Sequence, residues 1–277
     1  MSRNKSLVDK INSALHDLNC NSLIDIGTCN LHVIHNGFHA GIASVDKTWG
    51  IEELLSDTYY FFKKYPSRSQ DFDCIQQSLN CEKKAFKRFV SNRRLSAGPV
   101  CNRVIENWAG LKEFFLKKEH SKSIKESAAF CGIASKLQEG DVTLARLHFV
   151  SSIAGLFEPI LTKLQTKSTL IHVLLEELCH LLRLLLQRFV KHDLLTDKSD
   201  KQLKDVKLEP RSVEMCDFGE KTKELLRKLK KDTNPRVALL QKDMLKFLQS
   251  SAQYLRQKLL LTNVVLRNLR CLKPIAG

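Results

Sequence analysis

Residues 170–190 constrain the fold more than any other stretch of this chain. Leu170, Val173, Leu174, Leu178, Leu181, Leu182, Leu185 and Phe189 recur at intervals of three and four. That spacing lines side chains up on one face of an α-helix. Leu175, Leu184 and Leu186 widen the apolar face until little of the circumference is polar. Such a helix must be covered on several sides, so the segment predicts a central helix inside a multi-helix body. Glu176, Glu177, Arg183 and Gln187 interrupt the run, which is too charged for a membrane span.

Helical spacing also runs through residues 5–18, 29–42, 49–65, 71–79, 81–91, 100–117, 122–137, 141–165, 218–231, 235–261 and 264–272. Pro66 is expected to close one helix, and Ser96-Ala97-Gly98-Pro99 reads as a breaker. Asp141 can cap the following helix and Pro159 can kink it. One short run, 23–26, reads as a strand before a turn at Gly27-Thr28. Residues 196–212 are polar, contain Pro210 and predict a mobile connection. Eleven Gly and six Pro in 277 residues are few, which agrees with long helices. The expected class is therefore mostly α.

Forty-five Lys and Arg against thirty acidic residues give a formal charge of +15. Such an excess favours a polyanionic partner, because each cation seated on a phosphate releases a condensed counterion. The nine cysteines are scattered, with no Cys-x2-Cys pair. An odd count without paired spacing, behind an N-terminus lacking an apolar signal core, predicts reduced thiols inside a cell and no zinc ribbon.

Asp25-Ile26-Gly27-Thr28-Cys29 through His32, followed by His35-Asn36-Gly37-Phe38, carries a Cys-x-x-His element at the start of a helix. Trp49 precedes the aromatic run Tyr59-Tyr60-Phe61-Phe62 and Ser67-Arg68; further on lie the segments 103–114, 157–166, 182–190 and 254–274. In this order the segments resemble hAT-superfamily transposases, in which an RNase H-like core is interrupted by a large helical insertion. Cys29 and His32 are the motif residues. The resemblance implies a strand-helix remnant of the core over residues 1–45 and a helical insertion domain over 46–277. It also implies a nuclear, transposable-element-derived protein.

The departures imply lost catalysis. The family's RNase H-like site holds two divalent metals between three carboxylates. The matching acids lie upstream and downstream of the region this chain covers. Asp25 alone, like Asp9, Asp17 and Asp46, cannot assemble such a site, so no catalytic residue, cofactor or resident metal is expected. Cys29, His32, His35 and His39 share a helical side, yet no second element supplies ligands, and packing is the expected role. At Arg93-Arg94 the family's usual Arg-Trp has lost its aromatic residue.

Basic residues offer more. Lys83, Lys84, Lys87, Arg88, Arg93 and Arg94 cluster, with Phe86 and Phe89 between them. Lys221, Lys223, Arg227, Lys228, Lys230 and Lys231 form a second cluster, whose helical spacing suits a solvated face. The expectation is a non-enzyme that holds DNA weakly and without sequence selectivity through the first cluster. The alternative is a helical interaction scaffold that binds another protein or itself. Neither reading involves a membrane or a small-molecule substrate.

Overall fold

The computed structural model describes residues 7–18, 20, 29–90, 96–165 and 171–269. Among them are fourteen α-helices: α1 (Leu7–Asp17), α2 (Asn30–Trp49), α3 (Ile51–Lys64), α4 (Pro66–Ser78), α5 (Ala97–Glu106), α6 (Trp108–Lys112), α7 (Lys122–Lys125), α8 (Ala128–Gln138), α9 (Asp141–Leu164), α10 (Ile171–Gln187), α11 (His192–Leu195), α12 (Glu220–Lys231), α13 (Val237–Lys258) and α14 (Val264–Asn268). The mostly-α expectation holds. No strand occurs among the described residues; Val190 and Pro210 form one isolated bridge. The strand expected at 23–26 lies outside them, so the strand-helix remnant is not shown.

The body is organised around α9. α5, α12, α2 and α10 all pack against it, and α13 runs along α2. Ala145, Leu147, Phe149, Ile153, Ala154 and Phe157 of α9 are fully buried. Among the described residues this helix, rather than α10, is long and apolar enough to cross a membrane by length and composition. Here its apolar surface is spent on the protein core. α10 is central as expected, with Leu178, Leu181, Leu182, Leu185 and Leu186 inaccessible to solvent.

The tightest pairing is α2 against α13. A methyl group added at Gly41 would lie 2.5 Å from Cε1 of Phe247, and one at Gly37 would lie 2.5 Å from Cδ2 of Leu255. The two glycines, one turn apart, therefore let α13 approach to side-chain contact with the α2 backbone. Phe38, between them in sequence, meets Phe157 edge-on at 5.4 Å and Phe247 at 5.7 Å. At the end of α2, Trp49 Nε1 donates to Asp243 Oδ2 at 3.0 Å.

Several helix limits differ from the sequence pattern, each for a local reason. α2 runs through the expected 45/46 boundary and ends at Trp49, where Gly50 turns left-handed (φ 59°). Asp46 Oδ1 then accepts the N–H groups of Ile51 and Glu52 at 3.0 and 3.3 Å and so opens α3. Gly98 and Pro99 lie inside the first turn of α5, where an intrahelical N–H partner is not yet needed. The 100–117 pattern breaks at Asn107 and ends in a π-turn, Glu113–Lys117, which buries the adjacent Phe114 and Phe115 together. Ser127 splits 122–137 by accepting the Phe130 N–H. Asp141 is the first residue of α9 rather than its cap and pairs with Lys228 at 2.7 Å.

The stretch 196–212, expected as a mobile connection, is anchored along its length. Leu203 and Val206 are buried, Arg183 donates to the Lys198 carbonyl at 2.8 Å, and Arg256 donates to that of Lys204 at 2.7 Å. Polar composition concealed these few apolar anchors.

Gly41→Ala tests the α2–α13 contact. Phe247 is a rigid, fully buried ring, so the added methyl forces a shift costing about 1–3 kcal/mol, more than the ~1 kcal/mol a helical Ala regains. Gly155→Ala on α9 meets nothing within 4 Å and is expected to stabilise by up to ~1 kcal/mol. Urea denaturation of both variants checks the contrast; equal effects would remove the close-approach explanation.

Candidate nucleic-acid interface

Four of the six residues of the first basic cluster lie on residues 81–90, which form neither helix nor strand. Tertiary hydrogen bonds explain the difference. Arg103 Nη1 donates to the Ala85 carbonyl at 2.7 Å and Asn107 Nδ2 to the Lys84 carbonyl at 3.4 Å. Asn107 is itself fixed by Gln76 Nε2 at 2.6 Å. With its carbonyls turned toward α5, the segment cannot close helical bonds. Its side chains alternate instead: Phe86 stacks on Phe62 with ring centroids 5.0 Å apart, while Lys83, Ala85 and Lys87 face solvent. Phe86 and Phe89 pack against the core.

The six expected site residues do not form one equivalent set. Lys84 is held by Glu82 at 2.9 Å and by Glu106 at 3.7 Å. The hydrogen bond it donates to Glu82, reinforced by the Glu106 charge, raises its pKa above the ordinary lysine value. Lys83, Lys87 and Arg88 have no carboxylate within ion-pair distance among the described residues. Arg88 sits 6.0 Å from the centroid of the Tyr60 ring. Arg93 and Arg94 lie outside the described residues.

The structure adds aromatic neighbours that the sequence reading did not assign to this face. Tyr60 is 49% exposed and Tyr65 is 43% exposed. Arg68 lies over Tyr65 at 4.2 Å, and Lys63 lies 5.3 Å from the Tyr59 centroid. The end of α3, the start of α4 and the 81–90 segment therefore share a surface of cations and tyrosines. The signal was present as Tyr59-Tyr60 and Lys63-Lys64-Tyr65, although only folding brings them beside Lys83 and Arg88.

A half-buried carboxylate lies behind this surface. Glu158 of α9 lies against Gly98 of α5, where any Cβ would collide with its Oε1. That oxygen is buried without a hydrogen-bond partner among the described residues. Burial raises the Glu158 pKa above the ordinary carboxylate value, and the nearby Lys87 charge opposes the rise. The same carboxylate adds to the burial that pushes up the Cys101 thiol.

The remaining candidates are placed differently. Cys29 precedes α2, and both Cys29 and His32 are exposed. His39 lies 3.6 Å from Glu52 on α3. Among the described residues no three His, Cys, Asp or Glu side chains could hold a metal ion together. Asp25 lies outside the described residues. In the second basic cluster, Lys221 pairs with Glu224 at 3.0 Å, Lys223 with Asp217 at 3.1 Å and Lys228 with Asp141 at 2.7 Å. Much of its charge is internally balanced. The chain matches no protein-family model, no curated protein and no solved structure.

Glu158→Gln gives a pH-dependent expectation. A carboxyl with a raised folded pKa stabilises the fold most below its unfolded pKa, and that contribution is lost as pH rises through the folded value. The Gln variant should therefore melt above wild type at pH 8, and the gap should close as pH falls toward 4.5. A gap independent of pH would remove the titration argument. Lys87→Ala should lower the wild-type melting temperature at pH 8, since it deletes the cation facing Glu158.

Proposed function

We propose that this chain is a non-catalytic, hAT transposase-derived protein that holds nucleic acid through the 81–90 segment. Lys83, Lys87 and Arg88 make the phosphate contacts, and Arg93 and Arg94 follow in the sequence. The observation that carries the reading is the contrast between the two basic clusters. Lys83, Lys87 and Arg88 have no carboxylate within ion-pair distance among the described residues and lie near exposed tyrosines, whereas Lys84 is paired and the cations of α12 are largely paired. Uncompensated cations gain most from phosphate contact, and exposed rings supply sequence-tolerant stacking. Catalysis is not part of the proposal, since the resemblance implies a three-carboxylate site whose acids this sequence does not match. A nuclear location follows from the same reading.

Fluorescence anisotropy against duplex and single-stranded DNA tests it, with Mg2+ and Mn2+ in parallel samples to detect cleavage. Affinity should fall with salt at a log-log slope of roughly −0.7 to −0.9 per phosphate contacted, which for three cations is about −2 to −3. The triple change Lys83→Ala, Lys87→Ala, Arg88→Ala should remove most of that slope. Alanine replacement of Lys221, Lys228 and Lys230 should leave most of it intact. Binding insensitive to salt, or absent at low salt, contradicts the proposal; cleavage contradicts its non-catalytic part.

One observation favours the scaffold reading as well. α1 has an apolar stripe, and its Ile11 and the following Leu18 are 38% and 72% exposed. Light scattering on the full chain decides this point. Concentration-dependent association, lost in Ile11→Ser, supports a scaffold, and a monodisperse monomer opposes self-association.

A further inference from the structure

A cavity of about 450 Å³ opens where α3, α4 and the 81–90 segment meet. This volume lies within the range of small-ligand sites, roughly 300–1,000 Å³. Tyr59, Phe62 and Phe86 supply aromatic wall, Lys63 and Lys83 supply positive charge, and Asp73 supplies a carboxylate. Each element has a structural cause. Phe62 and Phe86 are held in a near-parallel pair at 5.0 Å and 15°. Lys63 Nζ donates to the Tyr59 hydroxyl at 2.8 Å, which fixes both at the cavity. Neither Lys83 nor Asp73 has an ion-pair partner among the described residues.

We propose that this cavity takes one unstacked base of a single-stranded nucleic acid, with an adjoining phosphate on Lys83 and an amino-bearing base edge toward Asp73. The inference rests on the nucleic-acid reading above and adds a strand and base preference to it. Aromatic walls alone would equally suit a quaternary ammonium ligand. With Lys84 paired to Glu82 and Glu106, Lys63 and Lys83 against Asp73 still leave the lining net positive, which disfavours a cation and favours a planar ring carrying a phosphate. The carboxylate then decides which ring. An ionised Asp only accepts hydrogen bonds, so it suits the exocyclic amino groups of guanine, cytosine and adenine. Thymine presents one ring N–H between two carbonyl oxygens, and those oxygens face the carboxylate unfavourably. A duplex keeps its bases stacked and paired, so it can offer the site phosphates but no ring.

The test uses the full chain and fluorescein-labelled twelve-nucleotide strands: all-thymine, the same strand with one central guanine or cytosine, and a twelve-base-pair duplex. The strands with guanine or cytosine should bind severalfold tighter than all-thymine, and all single strands tighter than the duplex. Asp73→Asn should abolish the base preference while leaving the salt slope unchanged. Tyr59→Leu should weaken single-strand binding by roughly five- to a hundredfold, the range of one lost base–aromatic stack, with little effect on duplex. Circular dichroism confirms that each variant folds. Should Tyr59→Leu fail to fold, Asp73→Asn, a nearly isosteric change at a part-exposed position of α4, still decides the matter. Equal affinity for every probe, unchanged in Asp73→Asn, overturns the cavity assignment while salt-dependent binding leaves the basic-face reading in place. No binding to any probe at low salt overturns both.

Discussion

The contact between α2 and α13 sets the position of everything else. Trp49 and Asp243, joined by a hydrogen bond, are 194 residues apart in sequence. Gly41 allows the Phe247 ring to lie on the α2 backbone, and Phe38 then fits edge-on against both Phe247 and Phe157. Phe149 continues the cluster, meeting Trp49 at 5.8 Å, Phe247 at 5.2 Å and Phe218 at 6.0 Å. Edge-to-face pairs of this kind add to burial and also fix orientation. The seam thus locks α9 in rotation and depth. α5 packs on the locked helix through Gly98, beside Ala154 and Glu158. Arg103 and Asn107 of α5 then hold the carbonyls of the 81–90 segment. The conformation of a surface loop is in this way inherited from a pair of glycines on another helix.

That dependence explains why α2 is continuous through residues 43–48, between the helical patterns at 29–42 and 49–65. A break at 45/46 would expose Val45 and Trp49, which are 3% and 1% accessible, and would separate Asp46 from the α3 amides it caps. Burying two such side chains contributes several kcal/mol, on the order of 1.5–3 kcal/mol each. Helical continuity is therefore enforced by tertiary contacts on both sides of the position.

The existence of nearly every helix was legible, because apolar spacing of three and four reports a buried face directly. Their partners were not. Gly37 stood out within the His35–Phe38 motif, but nothing local shows that Leu255 is the group it accommodates. Residues 81–91 misled for a definable reason. Phe86 and Phe89 have helical spacing, while Lys84 and Phe86 have the spacing of an extended chain, and a short segment satisfies both. The choice was made by Arg103, Asn107 and Gln76, none of them within the segment. The site was half legible for the same reason. Lys83, Lys84, Lys87 and Arg88 were visible as a charge cluster, whereas Tyr59, Tyr60, Tyr65 and Asp73 join it only through the α3–α4 turn at Pro66.

Net charge says that a polyanion is welcome but not where. The two basic clusters contain similar numbers of cations, and backbone conformation separates them. On α12, residues three and four apart are neighbours, and Glu224 meets Lys221 within one turn while Asp217 and Asp141 reach in from adjacent elements. The 81–90 segment forms no helix, and its exposed Lys83 and Lys87 have no carboxylate of their own segment within ion-pair distance. Glu82 and Glu106 are within reach of Lys84 alone, the one lysine of the segment drawn toward α5. The hydrogen bonds that keep 81–90 out of a helix thus also keep its outward cations unpaired. Uncompensated charge at this face is a consequence of the fold, beyond the excess of basic residues in the composition.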